Sequence, residues 1–223
     1  MRRIFRENGL SIALFSMFFL TLLIGQTWTG YRENNHNRED HGLSAISYPA
    51  YLVSDHFLEA TAENWESEFL QMFVFIVLTA FLYQKGSAES KDPDKKEETV
   101  DREPKPGRPK KNAPWPVRKG GFVLKVYENS LSLAMLLLFL LSFLMHALGG
   151  KGEYNQDQLL HGGEQVTMLG YMGTSRFWFE SLQNWQSEFL AIGSMVVLTI
   201  WLRQKGSPES KPVDSPHSQT GSD

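Results

Sequence analysis

The sequence contains no cysteine among its 223 residues. Disulfide bonds, thiolate nucleophiles, cysteine-based zinc sites and iron–sulfur clusters are therefore excluded. The chain also lacks the HxH and HExxH spacings typical of metal ligands, so we predict neither a metal nor a cofactor. The formal net charge of −3 is too small to predict a nucleic-acid partner for the whole chain.

Charged residues are scarce in four places, which are occupied by long apolar runs. These blocks are residues 10–27, 69–83, 131–148 and 189–202. A transmembrane helix needs about 20 residues, and the two shorter blocks reach that length only when residues 65–68 and 185–188 form their first turns. The sequence therefore predicts an all-α membrane protein with four transmembrane helices.

The first apolar block has a second interpretation. Arg2, Arg3 and Arg6 precede it, as basic residues precede the apolar core of a secretory signal peptide. However, Gln26 and Thr27 form a poor cleavage site, and a similar apolar segment recurs in the middle of the chain. We therefore predict a retained membrane helix.

Lysine and arginine are distributed unevenly among the segments outside the blocks. From the N-terminus onward, these segments contain three, two, twelve, two and three of them. Cytoplasmic segments of membrane proteins are enriched in these residues. We therefore predict a multi-pass protein with both termini and the central segment in the cytoplasm.

Residues 64–91 and 184–211 resemble each other along their whole length. Without a gap, 17 of these 28 positions are identical, and both segments contain the motifs NW-x-SEFL and QKGS-x-ESK. Because polar positions match as well, shared hydrophobicity does not explain the similarity. The sequence predicts two tandem two-span repeats. The predicted boundaries are 1–91 for the first repeat, 92–119 for a disordered cytoplasmic linker, 120–211 for the second repeat and 212–223 for a disordered tail.

The two motifs, the chain length and the duplication resemble an uncharacterised family of bacterial inner-membrane proteins, known only as a domain of unknown function. The resemblance covers nearly the whole chain except the linker. It implies a four-helix protein of the bacterial plasma membrane. It implies no activity, ligand or cofactor.

Glu68 and Glu188 are the candidate site residues, because a carboxylate inside an apolar run is costly and usually pairs with another group. Asn64 and Asn184 precede them by one helical turn on the same face. Two carboxylates at one depth could share a proton or a cation. Alternatively, each could complement the dipole of a helix N-terminus while the asparagines tie helices together. Both interpretations remain open.

Further candidate residues are expected to contact the membrane surface. Trp65 and Trp185 are predicted to be interface anchors, because tryptophan is enriched at headgroup depth. The basic half of the linker is expected to lie against anionic lipid headgroups. Its contacting residues would be Arg108, Lys110, Lys111, Arg118 and Lys119.

The first functional hypothesis is a structural or interaction protein of the plasma membrane that is not an enzyme. Its expected partners are the lipid bilayer and either a second copy of the chain or another membrane protein, without nucleic acid. The alternative is a small transporter or channel with a proton or cation site at the repeat interface. An enzyme at the outer face lacks support, because the sequence has no recognisable nucleophile–base pair, phosphate loop or metal motif.

Overall fold

The computed structural model describes residues 2–95, 100–104 and 112–221, and their regular structure is helical. The helices are α1 (Arg2–Leu20), α2 (Thr27–Asp40), α3 (Tyr48–Tyr51), α4 (Asp55–Phe81), α5 (Trp115–Lys119), α6 (Gly121–Glu128), α7 (Ser130–Leu160), α8 (Met168–Met172) and α9 (Ser175–Leu198). A π-helical segment, Thr21–Gln26, joins α1 to α2. The predicted all-α class is confirmed for the described residues.

Two helical stretches in the described ranges are long and apolar enough to cross a membrane. They are Arg3–Asp40, with 38 residues, and Ser130–Leu160, with 31 residues. These stretches contain the first and third predicted spans. The second and fourth predicted spans lie mainly in α4 and α9, and the four-span topology stays a prediction.

Hydroxyl side chains cap the starts of α4 and α9. The backbone amide of Phe57 donates to Ser54 Oγ at 3.2 Å, and that of Phe177 donates to Thr174 Oγ1 at 3.3 Å. Such oxygens satisfy amides of the first turn that have no partner within the helix. Ser54 and Thr174 therefore act as the N-caps of α4 and α9.

Asn35 and Asn155 close the loops after α2 and α7, and each makes the same pair of hydrogen bonds. Asn35 Nδ2 donates to the Ile46 carbonyl at 3.0 Å, and the Ile46 amide donates to Asn35 Oδ1 at 2.8 Å. Asn155 makes the same two bonds with Val166, at 2.9 and 2.7 Å. Each asparagine thereby fixes the loop that leads into a capped short helix, α3 or α8.

The helical stretches before these loops differ in length by one residue. Asn8 and Asn129 both interrupt regular helix, with φ of −131° and −111°. Each side chain donates to the carbonyl four residues earlier, at 3.2 and 2.9 Å. The loop asparagine follows 27 residues later in the first stretch and 26 later in the second. The longer stretch contains Thr21–Gln26, and a π-helical turn accommodates an additional residue within a helix.

The chain divides into two compact units. The first unit contains Met1–Glu63 and Phe143–Trp178, and the second contains Asn64–Ser142 and Phe179–Asp223. In the first unit the core consists of the fully buried residues Ala147, Tyr171 and Phe177, surrounded by Phe143, Tyr154, Val166, Met168 and Met172.

Gly149 allows α7 to approach the first turns of α4 within the first unit. A Cβ atom at this position would lie 2.5 Å from the Glu59 amide nitrogen and 2.9 Å from the Asp55 carbonyl oxygen. Ordinary side chains do not fit at these distances. The glycine therefore sets the separation of the two helices beside Glu59.

The C-terminal residues of the second unit are held by Lys211, whose side chain is buried. Its Nζ atom lies 2.5–3.4 Å from four backbone carbonyl oxygens, those of Gly86, Pro216, His217 and Gln219. Residues 212–221, which the composition predicts to be disordered, thus make specific contacts. The domain boundaries stay predictions.

Candidate functional site

The usual distribution of polar and apolar side chains is inverted in the long helices. In α7, Ser142 is 3% exposed and His146 is fully buried, whereas eight leucines between residues 131 and 148 of the same helix are exposed. Those leucines are Leu131, Leu133, Leu137, Leu138, Leu140, Leu141, Leu144 and Leu148. Water-soluble proteins rarely expose contiguous apolar surfaces of this kind. The inversion is typical of helices that present apolar side chains to lipid and polar ones to the protein interior.

The predicted carboxylate pair lies in the second unit, on α4 and α9. Glu68 is exposed and Glu188 is half-buried, and the two carboxylates are close enough to interact electrostatically. The backbone carbonyls of Asn64 and Asn184 accept hydrogen bonds from Ser67 Oγ and Ser187 Oγ, at 2.9 and 2.8 Å. A shared site at the two glutamates and a ligand role for the asparagines both stay predictions.

Glu66 and Gln71 are site residues that the sequence analysis misses. Glu66 is fully buried, and its Oε1 atom accepts a hydrogen bond from Trp185 Nε1 at 2.9 Å. Gln71 is 8% exposed and its Nε2 atom donates to the Glu188 carbonyl at 3.0 Å. These contacts form a polar seam between α4 and α9, which we define by Glu66, Gln71, Trp185 and Glu188. A comparison of the two similar segments could have indicated these residues, because Glu66 and Gln71 both stand at positions where the segments differ.

The tryptophans predicted to be interface anchors, Trp65 and Trp185, are both half-buried. The Trp185 ring packs edge-on against Phe139 with 6.1 Å between centroids, while its indole N–H is directed to Glu66. Tryptophan commonly pairs an apolar ring contact with one hydrogen bond when it is buried. Trp185 therefore contributes to the polar seam, and the anchor role of both residues stays a prediction.

Only part of the predicted headgroup contact lies in the described residues. Arg118 and Lys119 are exposed in the last turn of α5, and Lys119 Nζ lies 5.0 Å from the centre of the Trp115 ring. Arg108, Lys110 and Lys111 lie outside the described residues. Contact of these five cations with lipid headgroups stays a prediction.

A second polar cluster lies inside the first unit. Glu59 is 8% exposed and His146 is fully buried, and a carboxylate oxygen of the glutamate lies within 4.8 Å of a ring nitrogen of the histidine. The His146 ring stacks on Phe177 at 4.9 Å between centroids. Nearby in the sequence, Thr61 Oγ1 accepts a hydrogen bond from Gln26 Nε2 at 2.9 Å. A buried carboxylate and imidazole at this distance can interact electrostatically or supply two ligands to a cation.

Charged side chains beside the loops of the first unit have altered acidities. Burial raises the pKa of Glu153, and the neighbouring Asp55 carboxylate raises it further, whereas Arg176 opposes the change. Burial lowers the pKa of His56, against the attraction of Glu33. In both residues burial disfavours the charged form, as it does for any ionisable group with reduced access to water.

One comparison with known proteins gave a match. The family model described as Domain of unknown function (DUF6766) matches residues 1–222. No curated protein and no solved structure matches the chain. The description of the family specifies no reaction, ligand or partner, so a function has to be argued from the residues themselves.

Proposed function

The chain belongs to the DUF6766 family of unknown function, and we propose that it is an integral protein of the bacterial plasma membrane with a structural or interaction role. The observation that supports this most is that the long helices expose many apolar side chains while they bury polar ones, such as Ser142 and His146 in α7. The polar seam supports the same role, because hydrogen bonds that polar side chains make between helices help transmembrane helices associate. Glu66 with Trp185, and Gln71 with the Glu188 backbone, form such bonds.

Within this proposal the chain crosses the membrane four times, as two tandem two-span repeats. The two similar segments share 17 of 28 residues, and local contacts recur at a spacing of 120 residues. Asn35 and Asn155 close equivalent loops, and Ser54 and Thr174 cap equivalent helices. These correspondences support the duplication, and with it the same orientation for both repeats.

Cysteine accessibility tests the membrane topology. The chain has no native cysteine, so His36→Cys, Lys105→Cys and Asp157→Cys each introduce a single reporter thiol. In intact cells, a membrane-impermeant thiol reagent is expected to label positions 36 and 157 but not 105, because segments rich in lysine and arginine stay in the cytoplasm.

Permeabilised cells provide the control, since all three thiols should then react. Carbonate extraction of the same membranes provides an independent measurement of integration. Release of the chain into the soluble fraction would refute the proposed membrane protein. Labelling of position 105 but not 157 in intact cells would refute the proposed orientation.

A small transporter or channel with a proton or cation site is the second candidate. The electrostatic influence of Glu68 on Glu188 favours it, as does the proximity of Glu59 to His146. Titratable groups inside membrane helices commonly mark ion or proton pathways. Such a function would require the carboxylates to ionise in a coupled way.

A double-mutant cycle at Glu68 and Glu188 separates the two candidates. For a structural role, Glu68→Gln and Glu188→Gln should each change the free energy of unfolding by less than about 1 kcal/mol and their effects should add. For an ion site, the double mutant should deviate from the sum at pH 8 but not at pH 5. Unfolding of the purified protein at both pH values measures this, and additive effects at both would eliminate the ion site.

A further inference from the structure

An apolar groove runs along α4 and α9 in the second unit and ends at polar groups. Its volume is about 330 Å³, and its walls include Leu78, Tyr83, Ile192 and Val196. Polar side chains, those of Gln84, Glu89 and Ser90, line the end that lies beyond α4. A groove that is apolar along its length and polar at one end matches the shape of an amphiphile rather than that of a water-soluble solute.

Gly193 contributes to the free space in this groove. A Cβ atom added there would meet no other atom within 4 Å, and the equivalent position of the first similar segment is Phe73. Glycine inside a helix costs about 1 kcal/mol relative to alanine. A glycine with free space beside it therefore leaves a volume that a larger side chain could fill.

The carboxyl group of Glu89 lines the polar end of the groove. Glu209 lies close enough to Glu89 to act electrostatically on its carboxyl group. Burial raises the pKa of Glu89, and the Glu209 carboxylate raises it further. Among the described residues, Glu89 Oε1 has no hydrogen-bond partner and is closed to solvent.

The lysines beside this end are already engaged in ion pairs. Lys91 Nζ lies 2.9 Å from Asp101 Oδ1, and Lys85 Nζ lies 2.8 Å from Asp94 Oδ2. Both lysines are therefore paired with other carboxylates. An incoming cation with N–H donors would complement the two glutamates electrostatically and by hydrogen bonding.

We propose that the groove binds phosphatidylethanolamine, with one acyl chain along α4 and α9 and the primary ammonium on Glu89 and Glu209. The inference rests on the proposed membrane location of α4 and α9, because the acyl chain reaches the groove from the bilayer.

Lipid binding to the purified, delipidated full-length chain tests this proposal. Native mass spectrometry would compare phosphatidylethanolamine, phosphatidylcholine and phosphatidylglycerol with identical acyl chains. We expect about tenfold tighter binding of phosphatidylethanolamine than of either other lipid, the usual effect of a hydrogen bond to a charged group. Phosphatidylcholine has no N–H donor, and phosphatidylglycerol is repelled by the carboxylates.

Four variants assign the preference to the groove and to its carboxyl pair. The combined Glu89→Gln and Glu209→Gln change should abolish the preference for phosphatidylethanolamine, whereas Glu128→Gln, at an exposed position, should retain it. Gly193→Phe should remove one bound phosphatidylethanolamine per chain by filling the groove. Leu190→Phe, on the exposed side of α9, should leave lipid binding unchanged.

The outcomes distinguish this inference from the proposed function. Equal affinity for the three lipids, or a preference that persists without the two carboxylates, would refute the inference. Such a result would leave the membrane proposal standing if carbonate failed to extract the chain. If carbonate released the chain into the soluble fraction, the membrane proposal and the lipid site would both fail.

Discussion

Glu66 and Glu68 stand two positions apart in α4, so their side chains leave the helix about 200° apart. The structure buries Glu66 fully and leaves Glu68 exposed. The sequence favours Glu68 because its counterpart in the second similar segment is also a glutamate. Identity between the segments thus indicates shared local structure, whereas the buried carboxylate stands at a position where they differ.

The hydrogen bond from Trp185 to Glu66 predicts a measurable loss of stability. Trp185→Phe keeps an aromatic ring against Phe139 but removes the donor to a fully buried carboxylate. We expect the free energy of unfolding to fall by about 1 kcal/mol, the scale of hydrogen bonds between membrane helices. Unfolding by sodium dodecyl sulfate in mild detergent measures it.

Trp201→Phe is the matched control, because Trp201 is 55% exposed. It should leave the free energy of unfolding within about 0.5 kcal/mol of wild type. Equal losses in both variants would contradict a specific role for the Glu66 contact.

Glu153 predicts a pH dependence of stability. Its pKa in the folded chain is raised above the ordinary 4.5, chiefly by burial, so the folded state binds the proton more tightly than the unfolded state. Stability must therefore fall as the pH rises from about 4.5 through the raised pKa. Glu153→Gln should remove this decrease, which thermal unfolding between pH 4 and pH 8 would measure. Glu164→Gln, at an exposed position, should keep the wild-type profile, and an unchanged profile in Glu153→Gln would contradict the assignment.

At the scale of elements, what the sequence predicts depends on the range of the interaction. Length and apolar composition predict the long helices, and the caps at Ser54 and Thr174 depend only on residues within the same turn. Contacts such as Gln71 with Glu188 join residues 117 positions apart, and helical periodicity alone does not say which faces meet. The separation of α7 from α4 at Gly149 is unpredicted for the same reason, since glycine alone does not identify its neighbour.

The loop asparagines provide a prediction about elements. Asn35→Ala and Asn155→Ala each remove two hydrogen bonds to a loop backbone. We expect each to destabilise the chain by about 1–3 kcal/mol, because unpaired groups remain in a partly buried loop. Hydrogen exchange should increase locally, at residues 41–46 in the first variant and 161–166 in the second. The exposed Asn37 provides the control Asn37→Ala, and an equal effect there would contradict the loop-closing role.

At the scale of the whole molecule, Lys211 connects the C-terminal residues to the turn that follows α4. Lys211→Met keeps most of the side-chain volume but removes the ammonium group that faces four carbonyl oxygens. We expect faster hydrogen exchange and earlier proteolysis at residues 212–221, because the buried carbonyls lose their donor. Lys205→Met, at an exposed position, should leave both rates unchanged. Equal protection in the two variants would contradict the role of Lys211.

A lysine ammonium among carbonyl oxygens occupies the kind of environment that would otherwise suit a free potassium ion. Because Lys211 is covalently attached to the segment that it holds, its local concentration is set by chain length rather than by the ionic composition of the surroundings. A diffusible ion would leave on dilution, whereas this cation returns to the same carbonyls each time the segment opens. Closure of the C-terminal residues over the Gly86 turn should therefore be insensitive to both potassium and protein concentration.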